Sequence, residues 1–255
     1  MGQPHKNNWI VSPKPRPDHR LRLFCFPCAG GMVSPYTRWA KMLPADVELC
    51  IIHLPGRGKR FGEAPFTQLT DLLPVLVKAL EPYTNGSFAF LGHSMGAVLG
   101  FEVARYLRQQ KLLEPRHLFC CSCPAPQTPI ATPHVHNLPE AAFIAELNRR
   151  YAAIPEAVQK ERNILQLFLP SLRADFEMLE TYQYVEGRSL TCPISGYTGL
   201  QDKAVSAASM SGWQLHTRDR FHFEQFPGDH FFIHTHTQRF LSTLTPSLRA
   251  IIRQL

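Results

Sequence analysis

An apolar run, SFAFLG at 87–92, passes without a break into Gly92-His93-Ser94-Met95-Gly96 and then into a segment of helical periodicity, Ala97–Gln109. Few local features constrain a fold as tightly. The consecutive Phe, Ala and Leu residues suit a strand covered on both faces. Apolar residues at Val98, Phe101, Val103, Ala104 and Leu107 suit a helix packed on a sheet. The turn joining them must be tight, and Ser94 sits at its apex. Glycine is needed at 92 and 96 because a side chain at either would collide with the flanking strand and helix. Such a turn lifts the serine hydroxyl above the sheet, beside a helix N-terminus that favours developing negative charge. A G-x-S-x-G pattern alone is a weak motif; its position between strand and helix gives it weight.

The same alternation runs through much of the chain. Apolar strands are expected at Leu21–Phe26, Glu48–His53, Ser87–Gly92, His117–Ser122, Pro193–Tyr197 and Phe221–Phe226. A helix is expected over Thr67–Tyr83, kinked or shortened by Pro74. Alternating strands and helices predict an α/β fold with a mostly parallel, doubly wound sheet. The pattern breaks over 128–187, which is helical in periodicity throughout and too long for an ordinary connection. It reads as a helical insertion over one end of the sheet. Residues 21–127 and 188–255 then form the core, and 1–20 an extended, proline-broken lead-in.

Composition narrows the function. With 44% hydrophobic and 18% charged residues, the 255-residue chain is expected to bury a sizeable core as one domain. No apolar run is long enough to predict a membrane span, and the first twenty residues lack the apolar core of a signal peptide. A cytoplasmic protein is expected, and a monomer. The formal charge of +7 is scattered rather than gathered in a stripe, so no nucleic-acid partner is predicted. Arg57, Lys59 and Arg60 form a small cluster that would steer an acidic partner. The cysteines Cys25, Cys28, Cys50, Cys120, Cys121, Cys123 and Cys192 are odd in number and lie in or beside apolar runs, as reduced, packed thiols do. No metal site is predicted.

A serine hydroxyl needs a base to take its proton. His230 follows the last predicted strand in Phe226-Pro227-Gly228-Asp229-His230-Phe231-Phe232, at the strand end where an α/β sheet places its ligand. His222 lies inside that strand, and His234 and His236 in the helix that follows. His93, inside the turn, is expected to pack or hydrogen-bond there. For the acid, Asp202 follows the strand PISGYTG and can approach His230 from the side; Asp229 is the neighbour of His230, and adjacent side chains diverge. Asp175 is expected to serve as a structural hydrogen-bonding residue. An oxyanion would be met by the backbone N–H of Met95 and by one from the loop Phe26–Gly31, with Ala29 favoured and Cys28 the alternative.

Beyond these residues, FCFPCAGG, LPGRGKRFGEAP, FLGHSMGAVLGFEVA, LPSLRADFEMLETYQY, CPISGYTGLQDKAV and FPGDHFFI together resemble the type II thioesterases of nonribosomal peptide and polyketide synthesis. The resemblance spans nearly the whole chain, and the LRADF run points to this family in particular. It implies an α/β-hydrolase fold with the insertion as a lid, and the triad Ser94, Asp202 and His230. It also implies hydrolysis of acyl groups from the phosphopantetheine arms of carrier domains, with no cofactor of the enzyme's own. Phe143, Leu147, Phe168 and Leu169 in the insertion are candidates to line an acyl channel. Gly58 departs from the family, where a carboxylate is frequent.

Overall fold

The computed structural model describes residues 7–129, 133–151 and 161–255. Parts of the expected lead-in (1–6) and of the expected insertion (130–132 and 152–160) lie outside the described residues.

Among the described residues, seven strands form one sheet: β1 (Ile10–Val11), β2 (Leu21–Phe26), β3 (Val47–Ile52), β4 (Phe88–His93), β5 (Leu118–Cys121), β6 (Ile194–Gly199) and β7 (Phe221–Phe226). Their spatial order is β1-β3-β2-β4-β5-β6-β7. All pairs from β3 to β7 are parallel, and β1 adds an antiparallel edge. The helices are α1 (Ser34–Thr37), α2 (Leu69–Leu80), α3 (Met95–Gln109), α4 (Glu140–Tyr151), α5 (Arg162–Thr181), α6 (Ala207–Ser211), α7 (Phe232–Thr235) and α8 (Thr237–Arg253).

The continuous apolar runs have a simple cause. Successive strand residues point to opposite faces, and here both faces are covered. Phe24, Phe26, Phe88 and Phe90 pack with α2 and α3, while Leu21, Leu23, Cys25 and Leu91 pack with α8 and Trp39. The Phe24–Phe90 and Phe26–Phe90 rings meet edge to face at 5.8 and 5.1 Å. Each fully buried ring contributes about 1.5–3 kcal/mol through apolar burial.

Two elements differ from expectation. The lead-in is not merely extended, since Ile10 pairs with Ile52 and Val11 with Ile51. Two residues followed by Pro13 and Pro15 give too short a pattern to be read as a strand. The helix at 67–83 instead spans α2, runs on through Pro74, and ends in a 3₁₀ turn at Glu81–Tyr83.

The insertion carries α4 and α5, and these helices have a core of their own. Val135, Phe143, Leu147, Leu165, Leu169, Leu172 and Phe176 pack together, apart from the two sheet cores. Phe143 is fully buried, edge-on to Phe176 at 5.9 Å and capped by the Arg173 guanidinium. The start of the insertion is fastened to α5, because Glu180 accepts from the amides of Val135 and His136 and Arg173 donates to the carbonyl of Leu138.

Truncating the centre of this small core should therefore loosen the insertion and spare the sheet. Phe143→Ala is expected to cost about 3–5 kcal/mol locally. Amide exchange within Glu140–Tyr151 should accelerate about 100-fold or more, while the amides of β4 keep the parent rate. Equal acceleration in both would show that the insertion does not open as its own unit.

Candidate active site

The site forms where the carboxyl ends of β2, β4, β6 and β7 meet. Phe26 pairs with Gly92, and Gly199 with Phe226, so the loops leaving these strands emerge together. Ser94 occupies the turn between β4 and α3 with φ 54° and ψ −119°. For a residue with a side chain this backbone costs about 1–3 kcal/mol. The surroundings enforce it. A Cβ on Gly92 would stand 2.3 Å from the backbone of Ala97, and one on Gly96 1.9 Å from the carbonyl oxygen of Phe26. The Ser94 amide is tied to the Cys121 carbonyl at 2.8 Å, while its side chain remains partly exposed.

His230 and Asp202, 28 residues apart, are brought together: Nδ1 of His230 lies 2.9 Å from Oδ2 of Asp202. The protonated Nδ1 donates to the carboxylate, which leaves Nε2 as the free, basic nitrogen. Asp202 also accepts from the amides of Ala204 and Val205 through Oδ1. Burial pushes the Asp202 carboxyl up, but the His230 bond and charge and the Ala204 amide outweigh it, and the net shift is downward. Folding thus stabilises the ionised form; that contribution is present above the ordinary carboxylate range and is lost as pH falls through the lowered value. Asp229 does something else. Its Oδ1 accepts from the amide of Phe231, 2.9 Å away, in the turn that carries His230.

His93 is fully buried, and its Nε2 donates to the backbone carbonyl of His230 at 2.8 Å. Burial, with His230 and His234 nearby, holds it well below its usual range, so it stays neutral and pins the loop.

The loop after β2 has four amides in question. That of Gly31 closes a turn onto Cys28 O at 2.8 Å, and that of Gly30 donates to Asp175 Oδ2 at 2.7 Å. The amide of Cys28 reaches its own thiol, while those of Ala29 and Met95 donate to no group among the described residues. They are the donors left for an oxyanion. Burial and then the Asp175 carboxylate push the Cys28 thiol up to about 12, which disfavours its nucleophilic thiolate. Among the described residues one group has donor geometry for a metal ion, His134, His136 and Glu180, but Glu180 is engaged by two amides and the His136 ring.

A seryl hydroxyl on a strained turn, an imidazole oriented by a buried carboxylate and free amides at a helix start are the parts of acyl transfer. The thioesterase domain model matches residues 21–248. The chain belongs to the thioesterase family. This thioesterase is 39% identical to the linear gramicidin dehydrogenase LgrE of Brevibacillus parabrevis, over 96% of its own length and 94% of the relative's. It is 38% identical to the gramicidin S biosynthesis protein GrsT of Aneurinibacillus migulanus, over 96% of each. The structure of the type II thioesterase BorB from the borrelidin biosynthetic cluster matches with a TM-score of 0.85 at 30% identity, covering 96% of this chain and 98% of the other.

A cavity of about 790 Å³ lies between the loops after β2 and β3 and helix α5. Ala29 borders it, as does Phe231, the neighbour of His230; Ser94 is not among its lining residues. The four candidate channel residues divide. Phe168 lines the cavity, whereas Phe143, Leu147 and Leu169 are buried in the insertion's own core. Helix α5 is apolar on two sides, and only the side bearing Ile164, Leu167 and Phe168 faces the cavity. The mouth is apolar too: Phe61, Ile164 and Leu167 are each about half exposed. These were missed because an amphipathic pattern does not say which apolar face is left uncovered. Tyr151 was missed as well; its ring lies 4.9 Å from that of His230.

The basic cluster requires a correction. Arg57 and Arg60 are each only 4% exposed. Arg57 pairs with Asp175 and Arg60 with Glu63, so neither is a free charge for steering a partner. Lys59 alone of the three is exposed.

The two carboxylates beside His230 should separate cleanly. Asp202→Asn removes the charge that stabilises the imidazolium and fixes the tautomer, and is expected to lower kcat about 10⁴-fold with the fold intact. Asp229→Asn should change kcat by less than about threefold, since its amide oxygen can still accept from Phe231. Steady-state kinetics on any accepted thioester checks both, and the reverse order would exchange the roles.

Proposed function

We propose that this thioesterase hydrolyses acyl groups from the phosphopantetheine arms of synthase carrier domains, through an acyl-serine intermediate. Ser94 attacks the thioester carbonyl while His230 Nε2 takes its proton. The oxyanion forms against the amides of Met95 and Ala29. His230 returns the proton to the departing pantetheine thiol, then activates water to release the acid and regenerate Ser94. Two observations carry the reading: the His230–Asp202 bond at 2.9 Å and the strained turn that holds Ser94.

The names of the relatives support a carrier-bound substrate. GrsT is named for gramicidin S biosynthesis, and BorB for the borrelidin cluster. LgrE bears a dehydrogenase name. Here the loop after β2 reads Phe26-Pro27-Cys28-Ala29-Gly30-Gly31, not the G-x-G-x-x-G that binds a dinucleotide. The cavity, apolar at its mouth, suits an acyl chain. In the described residues no helix is long and apolar enough to cross a membrane.

Two experiments test this. A fluorophosphonate should label the parent at Ser94, and Ser94→Ala should abolish both labelling and turnover of acyl-carrier thioesters; residual turnover within about tenfold would reject the nucleophile. Leu167→Asp at the cavity mouth should raise KM for a long-chain acyl thioester about tenfold, from lost apolar contact, and leave an acetyl thioester near the parent value. Equal effects on both chains would place the acyl group elsewhere.

A further inference from the structure

Asp175 is 1% exposed, far from the reacting groups in sequence, and holds three donors on two oxygens. Its Oδ2 accepts from the Gly30 amide and from Arg57 Nη1, both at 2.7 Å, and its Oδ1 accepts from Arg57 Nη2 at 2.8 Å. Arg57 Nε is fixed in turn by the Pro55 carbonyl at 3.2 Å. A two-pronged, fully desolvated ion pair of this kind is rigid, because loosening either partner strands a charge away from water.

The pair joins three segments: α5, the loop after β3 and the loop after β2. They also touch directly. A Cβ on Gly30 would stand 2.5 Å from Phe168 Cζ and 2.8 Å from Leu172 Cδ1, and one on Gly56 3.3 Å from Ser171 Cβ. The Gly30 N–H shares its peptide plane with the Ala29 carbonyl. Holding that plane from Asp175, while Gly31 N closes onto Cys28 O, sets the turn in which the Ala29 amide is left free.

We propose that Asp175 is a positioning residue for the oxyanion donor, and that through it Arg57 and helix α5 keep the Ala29 amide aimed at the reacting carbonyl. The proposal rests on the thioesterase reading given above. It implies that lifting α5 from the cavity breaks the Asp175–Gly30 bond and relaxes the donor loop, so that full hydrolytic competence requires α5 to be seated. Phe168 and Leu172, which line the cavity, are the side chains against Gly30, so a bound chain presses on the same contact.

The test uses the full chain. Asp175→Asn keeps an acceptor for Gly30 but leaves Arg57 without its counter-charge. The double variant Arg57→Met with Asp175→Leu removes both charges and is expected to stay folded, as apolar replacements of buried pairs commonly do. For Asp175→Asn, kcat should fall about 10- to 100-fold with KM within about twofold, and for the double variant about 100-fold or more. Active sites are counted by fluorophosphonate titration, so a smaller folded fraction is not mistaken for slower chemistry. A trifluoromethyl ketone, whose serine adduct carries an oxyanion, should lose affinity by the same factor as kcat/KM, because it reports transition-state binding. Folded variants with kcat per active site within about threefold of the parent overturn the proposal, as does a kcat loss with unchanged ketone affinity. If neither variant folds, the pair is a requirement of folding and the positioning role is rejected. A parent that hydrolyses no thioester overturns the underlying reading instead.

Discussion

The backbone contact between Gly96 and the end of β2 is the constraint from which the site follows. With only 1.9 Å available to a Cβ there, helix α3 starts directly against the Phe26 carbonyl, and Ser94 is driven into its strained conformation. The contact also fixes where the loop after β2 begins, so its amides are delivered beside the serine. A second approach of the same kind ties the other half of the site. A Cβ on Gly199 would lie 2.3 Å from the Asp229 carbonyl, which presses the end of β6 onto the loop bearing His230. Asp202 and His230 meet because glycine at 199 lets these two backbones approach this closely, and the Leu200 and Gln201 amides, donating to the Phe226 and Gly228 carbonyls at 2.7 and 2.9 Å, hold them there. Parallel register then unites the halves, since β4, β5, β6 and β7 are neighbours with aligned ends.

Those features were legible because they are local or periodic. Two-faced burial writes continuous apolar runs, so six of the seven strands could be read to within two or three residues. The glycine spacing around Ser94 and the strand-end position of His230 needed only short-range patterns. What escaped depends on contacts between distant segments. Arg57 and Asp175 are separated by 118 positions, and nothing near Arg57 distinguishes a buried, paired guanidinium from a solvated one. Phe143 and Leu147 show the same limit. Their helical spacing announces an apolar face, but whether it meets a substrate or Leu165, Leu169 and Phe176 depends on how α4 and α5 fold back on each other.

Pairing also explains why a chain of net charge +7 brings little free charge to its site. Arg57 is neutralised by Asp175 and Arg60 by Glu63, and Glu180 in the insertion is engaged by His136 and two amides. In the proposed reaction, the field at the carbonyl would then be shaped by short-range dipoles, the start of α3 and the free Ala29 amide of the β2 loop. Such dipoles are already oriented before substrate arrives, and a low-polarity cavity nearby leaves them poorly screened.

The same balance of burial and partnership selects the proposed base. His93, His230 and His234 form a chain of touching rings, with centroids 5.4 Å apart for His93–His230 and 5.5 Å for His93–His234. Burial disfavours a positive charge on His93 and His234. His93 and His234 have no carboxylate to offset it; burial, followed by Arg38, lowers His234 to about 4. His230 alone of the three has one, Asp202, at 2.9 Å. A general base must hold a proton during the reaction and surrender it afterwards. Within this cluster the proposed base is the ring with a carboxylate placed to stabilise that transient charge, and the two rings beside it serve as packing and, in His93, as the anchor of its backbone.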